Sequence, residues 1–458
     1  MNIYFWGHNV RAIQTAKVNS TFRKNAVQNL IKQIEDEKFK SRSKDGCLGA
    51  FSRDRKLTFE QLIIFLTRGV ISTTQRELNA FYKQVKKRDF NIQEITKGAF
   101  TQSRGKLKPE AFLELNDNLC ATFYNEAPYL VWHDLRLLSV DGTRLVLPNH
   151  PSIKEEFGEH GFGPNADSNR SLALGSLLYD CLNLTTLDAR VAPYSCSERD
   201  LLFQHLEKVN LGDLLLFDRG YPSIALFFLL IARGIEFCAR MKETWWLVVK
   251  DFSESGEQER IVEFSLPKKD RELLKEYPEY YHKTIKCRLV RVVLPGGEVE
   301  ILCTSLTNSE KYKYEDFEEL YHLRWNIEEG YKLFKARVEV ENFSGKTAKA
   351  VKQDFFAKVF MMTLCAVLAF PIEEKVRKES WEKKKKKKIK HEQKINRTSA
   401  LSMVRDICIG LFIHKTINTA ITAFDNLMIK TKEIVRPNRR VPRNKRPKKL
   451  FHMNYKAL

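Results

Sequence analysis

"GDLLLFDRGYPS", residues 212–223, is a short apolar run that ends on a carboxylate, Asp218. A strand built only from apolar residues has both faces covered, so this run predicts a strand at the centre of a sheet. The apolar stretch 224–235 predicts the crossover helix that follows, and "IEFCARM" predicts the next strand. The region therefore indicates an α/β fold, in which ligands bind beyond the carboxyl ends of the central strands.

A second carboxylate interrupts an apolar stretch upstream of this strand. "LRLLSVDGTRLVLP", residues 135–148, holds two β-prone runs around Asp141 and Gly142, a composition typical of a tight hairpin. Farther along, "SERDLLFQHLEKV" predicts a helix capped by Ser197. Asp141 and Asp218 would both point into the crevice at the carboxyl edge of the sheet.

The segment "YHLRWNIEEGYKLFK", residues 321–335, has helical periodicity and an unusual polar stripe. At about 100° per residue, Tyr321, Arg324, Glu328 and Lys335 share an arc of roughly 60° beside an apolar face. A structural ion-pair network is one interpretation of this stripe. The other is that Glu328 joins the two aspartates, because three converging carboxylates suit hard divalent cations. Two such ions about 4 Å apart would clamp the attacking and leaving oxygens of a phosphodiester.

The first part of the chain predicts helices over residues 55–125. Within it, "ITKGAFTQSRGKLKPEAF", residues 95–112, places Arg104 and Lys106 beside a short helix and a Lys-Pro helix start. This pattern is compatible with a helix-turn-helix-like unit whose basic side chains face phosphates. An ordinary helical bundle is the alternative.

Charge is concentrated at the end of the chain. The net charge is +21, and residues 381–458 hold 22 Lys and Arg against 5 Asp and Glu. Such a distribution favours nucleic acid as a partner, although a solvated tail would have the same composition. The nine cysteines stand singly, which predicts free thiols in a reducing cytoplasm. No apolar run is long enough to span a bilayer, so we expect a cytoplasmic, nucleoid-associated protein without membrane contact.

Several motifs together carry a resemblance. "SVDGTRL", "LLLFDRGYPS", "ILCTSL", "YHLRWNIEEGYKLFK" and "VENFSGK" occur in this order. They resemble the DDE transposases of bacterial insertion sequences, in the group named for insertion sequence four, with its Tyr-Arg-Glu-Lys signature. The similarity runs from about residue 55 to the end and includes "RPNRR", residues 436–440.

This resemblance implies roles for individual residues. Asp141, Asp218 and Glu328 would bind two Mg²⁺ ions, with Mn²⁺ as a substitute, in a ribonuclease-H-like fold. The side chains of Tyr321, Arg324 and Lys335 would hold the phosphates of the transposon end. The contact of Arg104 and Lys106 with DNA is predicted separately, from the basic pattern of residues 95–112. Relatives carry a Trp where this chain has Glu300, which places base stacking at this position in doubt.

The resemblance also implies a domain order. A ribonuclease-H-like catalytic core would be interrupted by a β-rich insertion, preceded by an all-helical DNA-binding domain and followed by a basic helical region. The long interval between Asp218 and Glu328 leaves room for that insertion. We expect these five segments: N-terminal helical region 1–125, core 126–243, insertion 244–313 with "WWLVV" as a strand, core 314–372 with the catalytic helix, and C-terminal region 373–458.

The implied function is cut-and-paste transposition. The protein would bind double-stranded DNA at terminal inverted repeats, cleave there, and join the freed 3′ hydroxyl to target DNA, acting as a homodimer on paired ends. Two alternatives remain open from the sequence: a transposase-derived DNA-binding protein that no longer cuts, and a structure-specific nuclease without strand transfer.

Overall fold

A mixed eight-stranded sheet runs through the middle of the protein, with helices around it. The structure is a computed structural model that describes residues 9–13, 21–46, 49–51, 56–162, 168–294 and 297–435. The "RPNRR" segment, part of the family resemblance, lies outside these residues. The described residues form a mixed α/β fold, as the sequence predicts.

The N-terminal region is mostly helical. Its elements are β1 (Val10–Ala12), α1 (Phe22–Glu35), α2 (Glu37–Arg42), α3 (Phe59–Arg68), α4 (Thr74–Val85), α5 (Lys97–Arg104) and α6 (Ala111–Glu126). The side chain of Thr58 accepts from the backbone of Gln61 in a reciprocal capping box that starts α3. The all-helical expectation is wrong at β1, because its backbone pairs antiparallel with residues 130–132.

The central region alternates strands with short helices. Its elements are β2 (Leu130–Trp132), β3 (Arg136–Val146), α7 (Pro151–Phe157), β4 (His160–Phe162), β5 (Ser168–Arg170), β6 (Leu172–Asp180), β7 (Thr186–Pro193), α8 (Glu198–His205), β8 (Asp213–Phe217), α9 (Ile224–Ala232) and β9 (Glu236–Arg240). Every residue of β8 is buried, which confirms the central strand predicted from its composition. Ser197 caps α8 through its side chain, again as predicted.

Strand order places β3 and β8 side by side. The sheet runs β7-β6-β3-β8-β9, with β8 parallel to both β3 and β9, and with β6 antiparallel to β3 and β7. Ser139 is paired with Leu216 in the parallel register. Two residues further along each chain, the same register aligns Asp141 with Asp218. Asp141 therefore lies where β3 continues past the end of β8.

The hairpin predicted around Asp141 and Gly142 is wrong. Residues 136–146 form one uninterrupted strand, in which Asp141 is paired with Leu177 and Gly142 with Ser176. The partner strand β6 supplies an antiparallel neighbour along this whole stretch, so the Asp-Gly pair has no turn to make. Local turn composition is overridden by pairing across the sheet.

The insertion predicted over residues 244–313 contributes to the same sheet. Its elements are α10 (Leu247–Ser255), β10 (Glu259–Ser265), β11 (Thr284–Val293) and β12 (Val299–Thr304). The strands extend the sheet beyond β9 in the order β12-β11-β10, all antiparallel. The strand expected at "WWLVV" is wrong, because Trp246 precedes a helix that buries Val249 and Phe252 on one face.

The remaining elements are mainly helical. They are α11 (Asp316–Leu323), α12 (Trp325–Ala336), α13 (Ala348–Lys385), β13 (Gln393–Lys394), α14 (Arg397–Cys408), α15 (Ile417–Lys430) and β14 (Glu433–Ile434). The helical periodicity of residues 321–335 predicts one continuous helix. Instead, α11 and α12 meet at Arg324, where the backbone makes tighter bonds, from Arg324 N to Tyr321 O and from Ile327 N to Arg324 O.

Helix α13 is the longest element, at 38 residues, and it lies against α3, α6, α14 and α15. Among the described helices it alone has the length and apolar composition to cross a membrane, and 94% of its apolar window is buried inside the protein. Its apolar side chains therefore pack the core of the helical part of the molecule.

Candidate active site

Three carboxylates near the end of β8 interact with one arginine, Arg324. Asp141 is half-buried on β3, and Asp218 follows the last residue of β8 with its side chain 44% exposed. Glu328 comes from the first turn of α12, with its side chain 31% exposed. The parallel register of β3 and β8 explains why the two aspartates lie side by side, because adjacent parallel strands bring residues at the same level of the sheet together.

Arg324 is the cation that these carboxylates share. Its side chain is only 4% exposed, and Nη2 donates a 2.9 Å hydrogen bond to Oε1 of Glu328. Burial opposes its charge, but Tyr321, Asp218 and Glu328 together raise the pKa of Arg324, so the guanidinium stays protonated. The sequence placed Arg324 and Glu328 on one helix face, and the structure joins them directly.

Asp141 is the carboxylate most affected by its surroundings. Burial raises the pKa of Asp141 to about 7, against the opposing effects of the Gly142 backbone N–H and the charge of Arg324. The Gly142 N–H donates to Oδ1 of Asp141 at 2.9 Å. A cation placed against it would stabilise the ionised form of a carboxyl group that titrates near neutrality.

A second series of polar contacts extends from Asp218 to Glu300. The Tyr321 hydroxyl donates to Oδ1 of Asp218 at 3.5 Å, and Nη1 of Arg240 lies 3.9 Å from the same oxygen. Arg240 also bonds Oε1 of Glu300 through Nη2 at 2.7 Å. Glu300 is 5% exposed, so the residue at the position where the resemblance implies a Trp is a buried partner of Arg240.

Two contacts hold α12 against β3. The Tyr331 hydroxyl donates to the backbone carbonyl of Asp141 at 2.6 Å. Lys335 donates through Nζ to the carbonyl of Arg144 at 3.0 Å, one turn further along. Tyr331 was missed by sequence reasoning, since its helix position suggested only the apolar face. Lys335 is half-buried and positions the helix, which leaves its predicted contact with phosphate untested.

Glu198 is a fourth carboxylate that the sequence reasoning overlooked. It is the first residue of α8, and its side chain lies against Gly142, where an added Cβ would come within 2.5 Å of Oε1. The charge of Glu198 raises the pKa of Asp141, which places Glu198 near the candidate carboxylates. The signal was available, because Ser197 marks a helix start after a strand of the same sheet.

The donor set is of the right chemical type for Mg²⁺ or Mn²⁺, since all of these ligands are hard carboxylate oxygens. Within the described ranges, however, no three His, Cys, Asp or Glu residues lie close enough to hold one ion. Glu328 is bonded to Arg324 instead. The expected meeting of three carboxylates as a ready ligand group is therefore not seen, although all three are electrostatically linked to the same guanidinium.

The prediction that Arg104 contacts DNA is contradicted. Arg104 is 3% exposed, and its guanidinium donates to Asp354 at 2.9 Å and to Ser344 at 2.7 Å. Gln353 and the carbonyl of Ala350 accept its other bonds. It therefore ties α5 to α13 and has no surface left for a phosphate. Lys106 is half-buried in the turn after α5, and its contact with DNA stays a prediction.

A family model of the transposase DDE domain matches residues 132–364, about half of the chain. The chain belongs to this family. The matched region contains Asp141, Asp218 and Glu328, and membership of the DDE transposase family, which the sequence motifs predict, is confirmed.

One curated relative is the transposase InsG for insertion sequence element IS4 of Escherichia coli (strain K12), 22% identical over 279 residues. The alignment covers 59% of this chain and 60% of the relative, so the chain spans less than two thirds of the relative's length. Among solved structures, the cryo-EM structure of the piggyBac transposase synaptic complex with hairpin DNA aligns with a TM-score of 0.46 and 9% identity, covering 91% of this chain and 87% of that one.

Proposed function

We propose that this protein is a divalent-metal-dependent DNA transposase. It would bind the terminal inverted repeats of an insertion sequence, cleave at the element ends and join the 3′ hydroxyl to target DNA. The observation that carries the proposal is the alignment of Asp141 with Asp218 on neighbouring parallel strands, with Glu328 of α12 bonded to an arginine, Arg324, whose charge interacts with both aspartates. Membership of the transposase DDE domain family supports the same chemistry.

A ribonuclease-H-like core is part of the proposal. Its support is the strand order β7-β6-β3-β8-β9, with β6 antiparallel and β8 parallel to the central β3. The two aspartates then come from adjacent strands and the glutamate from a later helix. The five segments expected from the sequence remain the proposed domain division.

The proposed ligands of Mg²⁺ or Mn²⁺ are Asp141, Asp218 and Glu328. Bound divalent ions would supply Lewis-acid stabilisation to the attacking and leaving oxygens of the phosphodiester. Arg324 keeps its charge beside Glu328 and limits repulsion among the carboxylates before substrate binds. The hydrogen bond from the Tyr331 hydroxyl to the Asp141 carbonyl positions α12 relative to β3.

DNA is the proposed partner. Tyr321, Arg324 and Lys335 are the proposed contacts of end phosphates, and the exposed side of Asp218 is where the strand would enter. Tyr321 and Arg324 are each 3% exposed, so their contact with phosphate requires the side chains around Asp218 to move when DNA binds. Stacking on a flipped base by residue 300 is not proposed, because Glu300 is buried and paired with Arg240. A homodimer on paired DNA ends and a cytoplasmic location complete the proposal.

The engagement of Glu328 by Arg324 favours one alternative, a transposase-derived protein that binds DNA without cutting it. A strand-transfer assay separates the two. Purified protein is incubated with labelled end DNA, a target plasmid and Mg²⁺, and the products are resolved by size. Joined product is expected from the native chain and none from Asp141→Ala, Asp218→Ala or Glu328→Ala.

Glu329→Ala is the matched control, because Glu329 neighbours Glu328 but pairs with Lys332 at the surface. It should retain joining. Cut but unjoined DNA would indicate a nuclease instead, and a shifted band without cleavage would indicate a DNA-binding protein only.

A further inference from the structure

A cavity of about 180 Å³ lies where the end of α3, the segment after α12, and helices α13 and α14 meet. None of the residues of the candidate active site lines it. Four cationic side chains line the cavity: Arg68, Arg337, Lys358 and Arg405. Among the described residues, no Asp or Glu lines it. Two of the four, Arg68 and Lys358, are buried, and buried charges are ordinarily paired, so this excess of positive charge around one cavity needs an explanation.

Arg68 is the most informative of the four. It is 9% exposed, and its Nε donates to the carbonyl of Arg405 at 3.0 Å. Its guanidinium also faces the ring of Phe81, 5.7 Å from the centroid. Within the described ranges no acceptor meets its two Nη groups, and burial lowers the pKa of Arg68. A buried guanidinium with most of its donors unused is costly unless an anion completes it.

Arg104 of the same chain shows the contrast. It is more deeply buried, at 3% exposed against 9% for Arg68, yet Asp354, Ser344, Gln353 and a backbone carbonyl accept its hydrogen bonds. The protein itself thus supplies hydrogen-bond acceptors for the guanidinium of this structural arginine. Arg68 differs because its free donors face a cavity.

The other three cations add charge around the same space. Arg337 is exposed at the end of α12, with no side-chain partner among the described residues. Lys358 donates to the carbonyls of Glu339 and Asn342 at 3.0 and 2.9 Å. Arg405 binds Glu77 at 2.6 Å, and that carboxylate is not part of the lining.

We propose that this cavity binds a phosphate group through Arg68, Arg337 and Arg405. Guanidinium groups present paired N–H donors that match phosphate oxygens, and the hydroxyls of Thr398 and Ser402 line the same cavity. The volume is many times the roughly 10–15 Å³ that one water needs, so a phosphate fits with its waters. The phosphate belongs either to a DNA backbone or to a small molecule.

Titration of the full chain with inorganic phosphate tests the site. Phosphate is compared with chloride at equal ionic strength, by thermal unfolding and by calorimetry. The native chain should be stabilised by phosphate specifically. Arg68→Met and Arg337→Ala should each lose most of that stabilisation, while the control Arg42→Ala, an exposed arginine paired with Glu114, should keep it.

Arg68→Met has a second readout. Without phosphate it should be at least as stable as the native chain, because it removes a buried charge with unused donors. Arg337→Ala changes an exposed residue and so keeps the test valid if Arg68→Met does not fold. Equal phosphate binding in the native chain and in Arg337→Ala, or no phosphate-specific stabilisation at all, overturns the proposal.

Competition identifies the source of the phosphate. Displacement of bound inorganic phosphate by a short DNA duplex assigns the cavity to the DNA backbone. Displacement by a deoxynucleoside monophosphate, but not by the duplex, assigns it to a small molecule. Because cleavage is not measured, the result is independent of transposase activity.

Discussion

Nη2 of Arg324 donates a 2.9 Å hydrogen bond to Oε1 of Glu328, one helical turn along the chain. The contact places a permanent cation where a divalent ion would otherwise offset the carboxylate charge. Arg324 also influences Asp141 and Asp218, so it links three side chains from three elements. In this structure the negative charge of these carboxylates is therefore offset by a protein cation, Arg324.

Arg324→Ala should destabilise the metal-free protein. Its loss leaves partly buried carboxylates without their cation, at a cost of about 1–3 kcal/mol in the free energy of unfolding. Urea unfolding at low ionic strength measures the change, with Lys332→Ala, an exposed ion-pair residue of the same helix, as the control. Mg²⁺ should restore more stability to Arg324→Ala than to the native chain. Unchanged stability would show that Arg324 does not balance these carboxylates.

Asp141→Asn should stabilise the metal-free protein at alkaline pH. The folded-state pKa of Asp141, about 7, is above the unfolded value, so the native carboxyl stabilises below the unfolded pKa and loses that contribution as pH rises through 7. The variant should gain roughly 2–4 kcal/mol over the native chain at pH 8, and little at pH 4, since one pKa unit is about 1.4 kcal/mol. Denaturant unfolding across this range is the measurement. The exposed Asp251→Asn should show no such trend, and a constant difference for Asp141→Asn would refute the explanation.

Arg104→Ala should be strongly destabilising. It leaves Asp354 buried without its charge partner, at a cost of about 3–5 kcal/mol. Equilibrium unfolding gives the value, and Lys106→Ala should cost under about 0.5 kcal/mol. A mobility-shift assay with end DNA should show weaker binding for Lys106→Ala. If Arg104→Ala instead left stability unchanged and weakened DNA binding, the DNA contact predicted from the sequence would be restored.

Local composition predicted those features that depend on neighbouring residues. The apolar run ending at Asp218 gave the central strand β8, and the hydroxyl side chains of Thr58 and Ser197 marked two helix starts. These features need no knowledge of distant partners. Asp141 and Asp218 are instead predicted from the general rule that ligands bind at the carboxyl edge of an α/β sheet and from the family resemblance, and the structure aligns them across 77 residues of sequence.

Features that depend on distant partners could not be predicted. Asp141 and Gly142 look like a turn until β6 is present to pair with them. Arg104 looks like a DNA contact until Asp354, 250 residues away, is placed beside it. Glu198 looked like an ordinary helix start, because its contact with Gly142 depends on how α8 packs against the sheet.

The most direct test of the central claim is a Mn²⁺-binding titration followed by electron paramagnetic resonance. The account predicts that the native chain binds Mn²⁺ and that Asp141→Asn, Asp218→Asn and Glu328→Gln each weaken binding by more than the roughly tenfold lost with a supporting partner. Glu329→Gln should bind as the native chain does. Equal Mn²⁺ affinity in the native chain and all three carboxylate variants would contradict a shared metal site.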